Sequence, residues 1–379
     1  MNPVASEDRG IWQIDLLITH ACNLNCRYCY ESYKSKALMS LDTCKTALKN
    51  AFSKVEQDKE IKAFSITYLG GEPLLNSNLI KDASEWLWSK CWPVGYTLDF
   101  TTNGTLLTHE FRRWLLKNKH RIDACLSLDG LGEMQRINRT NKKIDIEFFV
   151  ENWPHRPLNL VLFRDSIHLF AETVLELREK GIDISVTIGG GFEWYQKDVE
   201  EYERQLERLL PYFENDIQKA RRSGVFLNIE HLYKPVRERL PFCNGEISNK
   251  ICYDADGNEY GCHMMTPLVI GALNAKKLAE AQKQMQDIPI DVRCAACPLF
   301  NSCRVCPAMN LKICGNLSKH ATRETSCKMM KVQARQSAIL YSRFFSKCIE
   351  RGEKIDDVGM DLIRKALKVL EDIPPAAYL

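Results

Sequence analysis

Three cysteines stand close together near the start of the chain, in the run Cys22–Asn23–Leu24–Asn25–Cys26–Arg27–Tyr28–Cys29. Three thiolates on one tight loop can hold three irons of a cubane and leave the fourth iron without a protein ligand. An open iron of that kind accepts a small bidentate ligand. Zinc also takes cysteines at short spacings, although a structural zinc wants a fourth ligand nearby. A second run, Gly70–Gly71–Glu72–Pro73, combines glycines that let a ligand approach the backbone with a carboxylate that can accept from an ammonium group. Standing alone, it reads equally as a glycine turn between a strand and a helix.

Polar groups recur at further strand ends, in Thr101–Thr102–Asn103–Gly104 and Ser127–Leu128–Asp129–Gly130. Hydroxyl, amide and carboxylate groups so placed suit hydrogen bonding to a polar small molecule. Arg136 and Arg139 are equally eligible to meet a carboxylate. The second half adds Cys243, Cys252 and Cys262, then Cys294, Cys297, Cys303 and Cys306 in the spacing C-x2-C-x5-C-x2-C, with Cys327 beyond. Sixteen cysteines in 379 residues, without an export signal, favour metal over disulfides.

The elements that must position these groups are legible as alternating short apolar runs and longer amphipathic ones. Trp12–Thr19, Lys62–Leu69, Tyr96–Thr102, Ile122–Leu128, Leu158–Phe163 and Ile182–Ile188 read as strands. Leu41–Val55, Asn78–Cys91, His109–Asn118 and Ile167–Lys180 have helical spacing, with Ser40 as an N-cap and Gly181 as a stop. Six such alternations predict an α/β fold with a parallel sheet, open or curved into part of a barrel, and function at the C-terminal ends of its strands. Beyond Glu230 long apolar runs become few, and Tyr253–Asn258 reads as a hairpin turn and not a calcium loop. Helical patterning returns from Cys327 to Leu370. The division expected is 1–235, 236–330 and 331–379.

Hydrophobic content of 45% and charged content of 27% describe an ordinary globular chain. A formal charge of +3 implies neither a nucleic-acid nor a membrane partner, and no apolar run reaches the roughly 18 residues of a membrane span. A cytoplasmic protein is expected.

The cysteine loop and the Gly-Gly-Glu-Pro run together resemble the radical S-adenosylmethionine (SAM) superfamily over about the first 230 residues. The resemblance implies a partial (β/α)6 barrel, with Cys22, Cys26 and Cys29 holding a SAM-binding [4Fe-4S] cluster. It implies SAM contacts from Tyr28, Gly70, Gly71, Glu72, Thr102, Asn103, Ser127, Asp129 and Arg139. The later cysteines look like the SPASM domain of peptide-modifying members, which carries two auxiliary four-iron clusters beside a β-hairpin. That resemblance assigns Cys243, Cys252, Cys262 and Cys306 to one cluster and Cys294, Cys297, Cys303 and Cys327 to the other, three clusters in all. The usual spacing between the third and fourth cysteines of the run is three residues; here it is two. Cys44, Cys91, Cys125, Cys314 and Cys348 are left over. Four of them fall in expected helices or strands, where cysteine behaves as a small apolar residue, and Cys314 is a substitute ligand candidate.

The activity implied is reductive cleavage of SAM to a 5′-deoxyadenosyl radical that abstracts hydrogen from a ribosomally made peptide, with a flavodoxin or ferredoxin as reductant. Sulfatase-maturing relatives place a catalytic Asp directly after the cysteine equivalent to Cys262. This chain has His263 there, which weakens a formylglycine-generating assignment and makes His263 the catalytic candidate. The chain begins almost at its first strand, so a separate leader-binding partner of the RRE type is expected for a peptide with a leader. A non-catalytic iron–sulfur electron carrier is the alternative from another class, and it would leave the polar strand ends without purpose.

Overall fold

Ile14, Leu16, Leu17 and Ile18 are all buried in the first strand, β1 (Ile11–Thr19). A strand covered on both faces reads as a nearly continuous apolar run, which is the signature of a parallel sheet flanked by helices. The computed structural model describes residues 10–233, 249–282, 294, 296–300, 302–303, 306–315 and 324–378. Cys243 and the boundary expected at 235 lie outside these residues.

β1 pairs in parallel with β2 (Ala63–Gly70), β2 with β3 (Gly95–Thr102), and β3 with β4 (Asp123–Leu126). β5 (Leu158–Leu162) and β6 (Ile184–Ile188) form a second parallel pair, joined to the end of β4 by one bridge between Ser127 and Asn159. The result is an open parallel array, and no ring of strands closes among the described residues. This is the parallel α/β arrangement expected from the six strand–helix alternations, unclosed as the partial barrel of the resemblance implies.

The second region adds to that sheet. β7 (Lys250–Tyr253) runs parallel along the other edge of β1, and β8 (Glu259–Tyr260) returns antiparallel to it. The edge of β1 is thereby covered. The hairpin turn is fixed by Asp254, whose carboxylate accepts from the backbone N–H groups of Asp256 and Asn258 at 3.0 and 2.9 Å, and from Asn258 Nδ2 and Tyr260 OH at 3.1 and 3.2 Å. Those oxygens are consumed by turn donors, as a hairpin and not a calcium loop requires.

Register places Cys252, Asp15, Thr67, Asp99 and Asp123 side by side across five neighbouring strands. Residues in one parallel row share a face, so a polar layer crosses an otherwise apolar sheet. Arg156 balances its far end, donating to Asp123 at 2.7 Å and Asp99 at 3.1 Å. Burial nevertheless outweighs Arg156 at Asp99 and raises that carboxyl to about 6.

The helices follow their caps. In α1 (Leu41–Gln57) Ser40 Oγ accepts from Thr43 N at 3.0 Å, and Cys44, Ala47, Leu48, Ala51, Phe52 and Val55 form the buried stripe. α2 (Ser77–Trp88) ends earlier than the spacing predicts, so Cys91 lies outside it and is exposed. Ser89 N bonds Glu85 O, and Pro93 restrains Trp92 against helical geometry. α3 (His109–Asn118) is capped by Thr108, and α4 (Glu133–Asn138) and α5 (Ile146–Asn152) follow β4. α6 (Phe170–Glu179) is preceded by a 3-10 turn over Arg164–Leu169, and Gly181, at φ +71°, ends it.

α7 (Gln196–Phe213) and α8 (Ile217–Ser223) complete the first half. After the hairpin come α9 (Pro267–Ile270), α10 (Ala272–Gln282) and α11 (Pro307–Cys314). α12 (Glu324–Glu350) and α13 (Asp357–Asp372) form the tail. Arg335 of α12 donates to Leu370 O and Ile373 O at the end of α13, at 3.0 and 3.1 Å. α12 also packs on the first half, where Gln333 reaches Val225 O at 2.9 Å and Ser337 Oγ accepts from Leu227 N at 2.8 Å. No helix among the described residues is long and apolar enough to cross a membrane.

Candidate active site

The cysteine loop leaves β1 and lies against the end of β2. A Cβ on Gly70 would stand 2.3 Å from Thr19 O, and one on Gly71 would stand 2.2 Å from Ala21 O and 3.0 Å from Cys22 Cβ. Only glycine permits this approach, and Gly70 also has φ +147°. Two backbone bonds seal the contact, from Gly71 N to Thr19 O at 3.0 Å and from Glu72 N to Ala21 O at 2.8 Å. The glycine run therefore shapes the cysteine loop directly.

Glu72 is buried, and its carboxylate accepts from Thr102 Oγ1 at 2.6 Å, Asn103 N at 2.8 Å and Leu74 N at 3.1 Å. Burial raises its pKa, and these donors oppose the rise. Asn103 continues the network to the cysteine loop: its Nδ2 donates to Asn23 Oδ1 at 3.0 Å, and its Oδ1 accepts from Thr105. Ser127 N bonds Thr102 O at 2.9 Å, bringing the end of β4 alongside.

A second buried group faces the same loop. Tyr28 OH donates to Asp129 Oδ2 at 2.7 Å and accepts from Arg139 Nη1 at 2.8 Å. Asp129 Oδ1 accepts from Val161 N at 3.0 Å and lies 4.0 Å from Arg139 Nη1. Burial raises the Asp129 carboxyl, and the Arg139 guanidinium opposes it. The two arginines are thereby separated. Arg139 is buried against Asp129, whereas Arg136 is an exposed partner of Glu133. Asn138 also lends its amide to Asp129, and beside Arg139 the Gln135 Nε2, Asn138 Oδ1 and Arg139 Nε atoms are buried with no hydrogen-bond partner. Buried polar atoms are ordinarily paired, so these three are available to a further polar group.

The thiols influence one another electrostatically. Cys26 feels Cys29 and Cys22, and burial, opposed chiefly by Arg139, pushes it up to about 11. Cys303 likewise feels Cys327, Cys297 and Cys294, and burial pushes it up to about 12. Cys262 shares one apolar cluster with Cys306, and Cys252 lies within its electrostatic reach. Among the described residues no three His, Cys, Asp or Glu side chains are grouped so that they could hold one metal ion. Cys44, Cys125 and Cys348 are buried, and Cys314 is exposed at the end of α11.

His263 occupies a position that sequence reasoning could not supply with partners. Its Nδ1 donates to Asp15 Oδ2 at 2.6 Å, and Lys250 Nζ donates to the same oxygen at 2.8 Å. Burial would raise Asp15, but Lys250 and His263 hold it down to about 2. At His263 burial favours the neutral ring; Cys262 and Asp15 override it and push the pKa up to about 9. Asp15 and Lys250 were not foreseen, although an acid inside the run Ile11–Thr19 is the signal that marks the first. Glu31, two residues beyond Cys29, is also new: it is buried, within reach of Lys34 and His263, and burial raises it to about 7.

Residues 16–206 match the radical SAM superfamily. Among curated relatives, the radical SAM cyclopropyl synthase TigE of Paramaledivibacter caminithermalis is 24% identical over 188 residues, covering 44% of this chain and 38% of its own. A serine-type anaerobic sulfatase-maturating enzyme of Klebsiella aerogenes is 29% identical over 146 residues, covering 37% and 36%. The chain thus spans under half the length of these relatives. Among solved structures, native anSMEcpe with bound AdoMet aligns at TM-score 0.58 and 15% identity, over 94% of this chain and 99% of that one. The same protein with bound AdoMet and Cp18Cys peptide aligns at 0.55. At such identities the likeness is one of fold.

Proposed function

Because the chain belongs to the radical SAM superfamily, which implies a [4Fe-4S] cluster and SAM, we propose that it is a peptide maturase whose SAM-cleaving cluster sits on Cys22, Cys26 and Cys29. The observation that carries this reading is the convergence on the cysteine loop of two buried polar groups from other strand ends. One is Glu72 with Thr102 and Asn103; the other is Tyr28 with Asp129 and Arg139. The residues fit the cofactor chemically. The orphaned atoms of Gln135, Asn138 and Arg139 supply donors and an acceptor for a zwitterion, and Gly70 and Gly71 supply close backbone approach.

When bound, the cluster and SAM supply a 5′-deoxyadenosyl radical that abstracts hydrogen from the substrate. The chain's own residues position and shield. Glu72 and Asp129 offer acceptors, and Arg139 offers a cation to a carboxylate. Tyr28 brings an aromatic face to the loop, and Ser127 a hydroxyl at the β4 end. In the same reading residues 1–235 form the SAM unit and 236–330 the auxiliary-cluster unit, with 331–379 a helical tail. One auxiliary cluster takes Cys294, Cys297, Cys303 and Cys327. The other takes Cys252, Cys262, Cys306 and Cys243.

His263 lies between that second set and the barrel strand β1. With Nδ1 committed to Asp15, its Nε2 is the atom left to meet substrate or cluster. A peptide substrate is supported by the named relatives: a sulfatase maturase acts on a protein, and anSMEcpe has been solved with a peptide bound. Recognition of a leader by a separate partner, and reduction by flavodoxin or ferredoxin, belong to this proposal.

The test is a paired assay by mass spectrometry under reducing, anaerobic conditions. One arm offers a sulfatase-type peptide with a modifiable Cys or Ser. The other offers a short precursor peptide encoded beside the gene, with its leader-binding partner. Modification in the second arm alone supports the proposal; formylglycine in the first alone would replace it with sulfatase maturation.

A further inference from the structure

The chain that leaves Cys29 is held from the second region at several points. Tyr33 N donates to Leu268 O of α9 at 3.0 Å, and the Tyr33 ring packs where a Cβ on Gly271 would stand, 3.0 Å from it. Met309 of α11 reaches Gly191, just beyond β6 and close to Tyr30 Cβ. The remaining hold is polar. Lys312 Nζ donates to Tyr30 O and to Ser32 Oγ, both at 2.7 Å.

This geometry is unusual for a lysine in the last turn of a helix. Such a side chain ordinarily serves its own helix, near the last carbonyls. Lys312 instead crosses to acceptors 282 and 280 residues away in sequence, and it pairs with no carboxylate among the described residues. Two short bonds from one ammonium to acceptors on residues 30 and 32 fix the direction in which the backbone leaves Cys29. At the other end of the same short helix stands Cys306, its N-cap. One short helix, about 1.5 Å long per residue, therefore connects Cys306 at its start to Lys312 and the bonds to residues 30 and 32 at its end.

We propose that Lys312 is a positioning residue that couples the ordering of the second cysteine region to the geometry of the catalytic cysteine loop, and so to its affinity for SAM. This rests on the reading that Cys29 belongs to the SAM-binding cluster and Cys306 to an auxiliary one.

The test uses the anaerobically reconstituted full chain, with SAM affinity by equilibrium dialysis and the EPR spectrum of the reduced clusters with and without SAM. Lys312→Met is expected to keep its iron, bind SAM about tenfold more weakly and alter the SAM-induced EPR change; Lys312→Arg is expected to stay within about threefold of the parent. Cys306→Ala is expected to weaken SAM binding as well, and the double variant to be no weaker than the poorer single one. Parent-like SAM affinity in Lys312→Met, or fully additive losses in the double variant, would overturn the coupling. If Lys312→Met fails to retain iron, Ser32→Ala carries the test. It removes one acceptor and should cost about threefold in SAM affinity with full iron; no change would overturn the proposal. A parent protein that loads iron but binds no SAM would instead refute the catalytic-site reading beneath it.

Discussion

Thr102 Oγ1 donates to Glu72 Oε1 at 2.6 Å, so the carboxylate that follows β2 is oriented by the end of β3. With the N–H groups of Asn103 and Leu74 on the same carboxylate, Glu72 is a junction of the strand ends, and in the proposed function it is also an acceptor for SAM. Glu72→Ala should therefore do two things. It should weaken SAM binding by about ten- to a hundredfold, as the loss of a charge-assisted hydrogen bond of roughly 1.5–3 kcal/mol implies. It should also lower stability, because buried donors are left unmet. Thr102→Val keeps the carboxylate and should show a smaller loss in both. Dialysis against SAM and thermal melts measure the two effects; unchanged SAM affinity in Glu72→Ala would reduce the glycine run to a turn.

The two arginines that the sequence left equal should separate in experiment. Arg139 is enclosed with Tyr28 and Asp129, while Arg136 pairs with Glu133 at the surface. Arg139→Met strands a buried carboxylate and should weaken SAM binding by at least tenfold, whereas Arg136→Met should stay within about twofold. Equal effects in a SAM-binding titration would contradict the assignment.

Asp15, Lys250 and His263 join the hairpin of the second region to β1. Lys250→Met removes one partner of a buried ion pair, a change that typically costs about 3–5 kcal/mol. A clear fall in melting temperature is expected, with loss of iron from the auxiliary set first, since Cys252 and Cys262 flank the pair. A melt indistinguishable from the parent would show that the hairpin docks by its apolar contacts alone.

Much of this was legible in the sequence because it is local. Strand cores such as Ile14–Ile18, the Ser40 cap and the Gly181 stop are set by neighbouring residues, and the structure places them where patterning puts them. The SPASM resemblance groups Cys294, Cys297, Cys303 and Cys327 by their order in the sequence, whereas the spatial relation the structure gives is that Cys297 and Cys303 each lie within electrostatic reach of Cys294 and Cys327. What the sequence hid is long-range. The pairing of β7 with β1, the Asp15–His263 contact and the Lys312 bonds to residues 30 and 32 span more than 230 positions each. Nothing in a local window states which distant strand edge is free, so such contacts appear only once the chain is folded. The early end of α2 was missed for a smaller reason: Trp92–Pro93 outweighs an otherwise helical run.

Iron content tests the number of clusters. Eleven cysteine ligands over three cubanes imply about twelve irons per chain after anaerobic reconstitution. Removal of Cys22, Cys26 and Cys29 together should lower that by about four and leave the rest. A stable value near four in the parent, with full activity, would contradict the auxiliary clusters.

The most direct measurement is the yield of 5′-deoxyadenosine when the reduced, reconstituted protein is incubated with SAM. The parent should form it, and the variant with Cys22, Cys26 and Cys29 all replaced by Ala should form none while keeping its auxiliary iron. Product formation by that variant at the parent's rate, or none by a fully loaded parent, would contradict a SAM-cleaving cluster on these three cysteines.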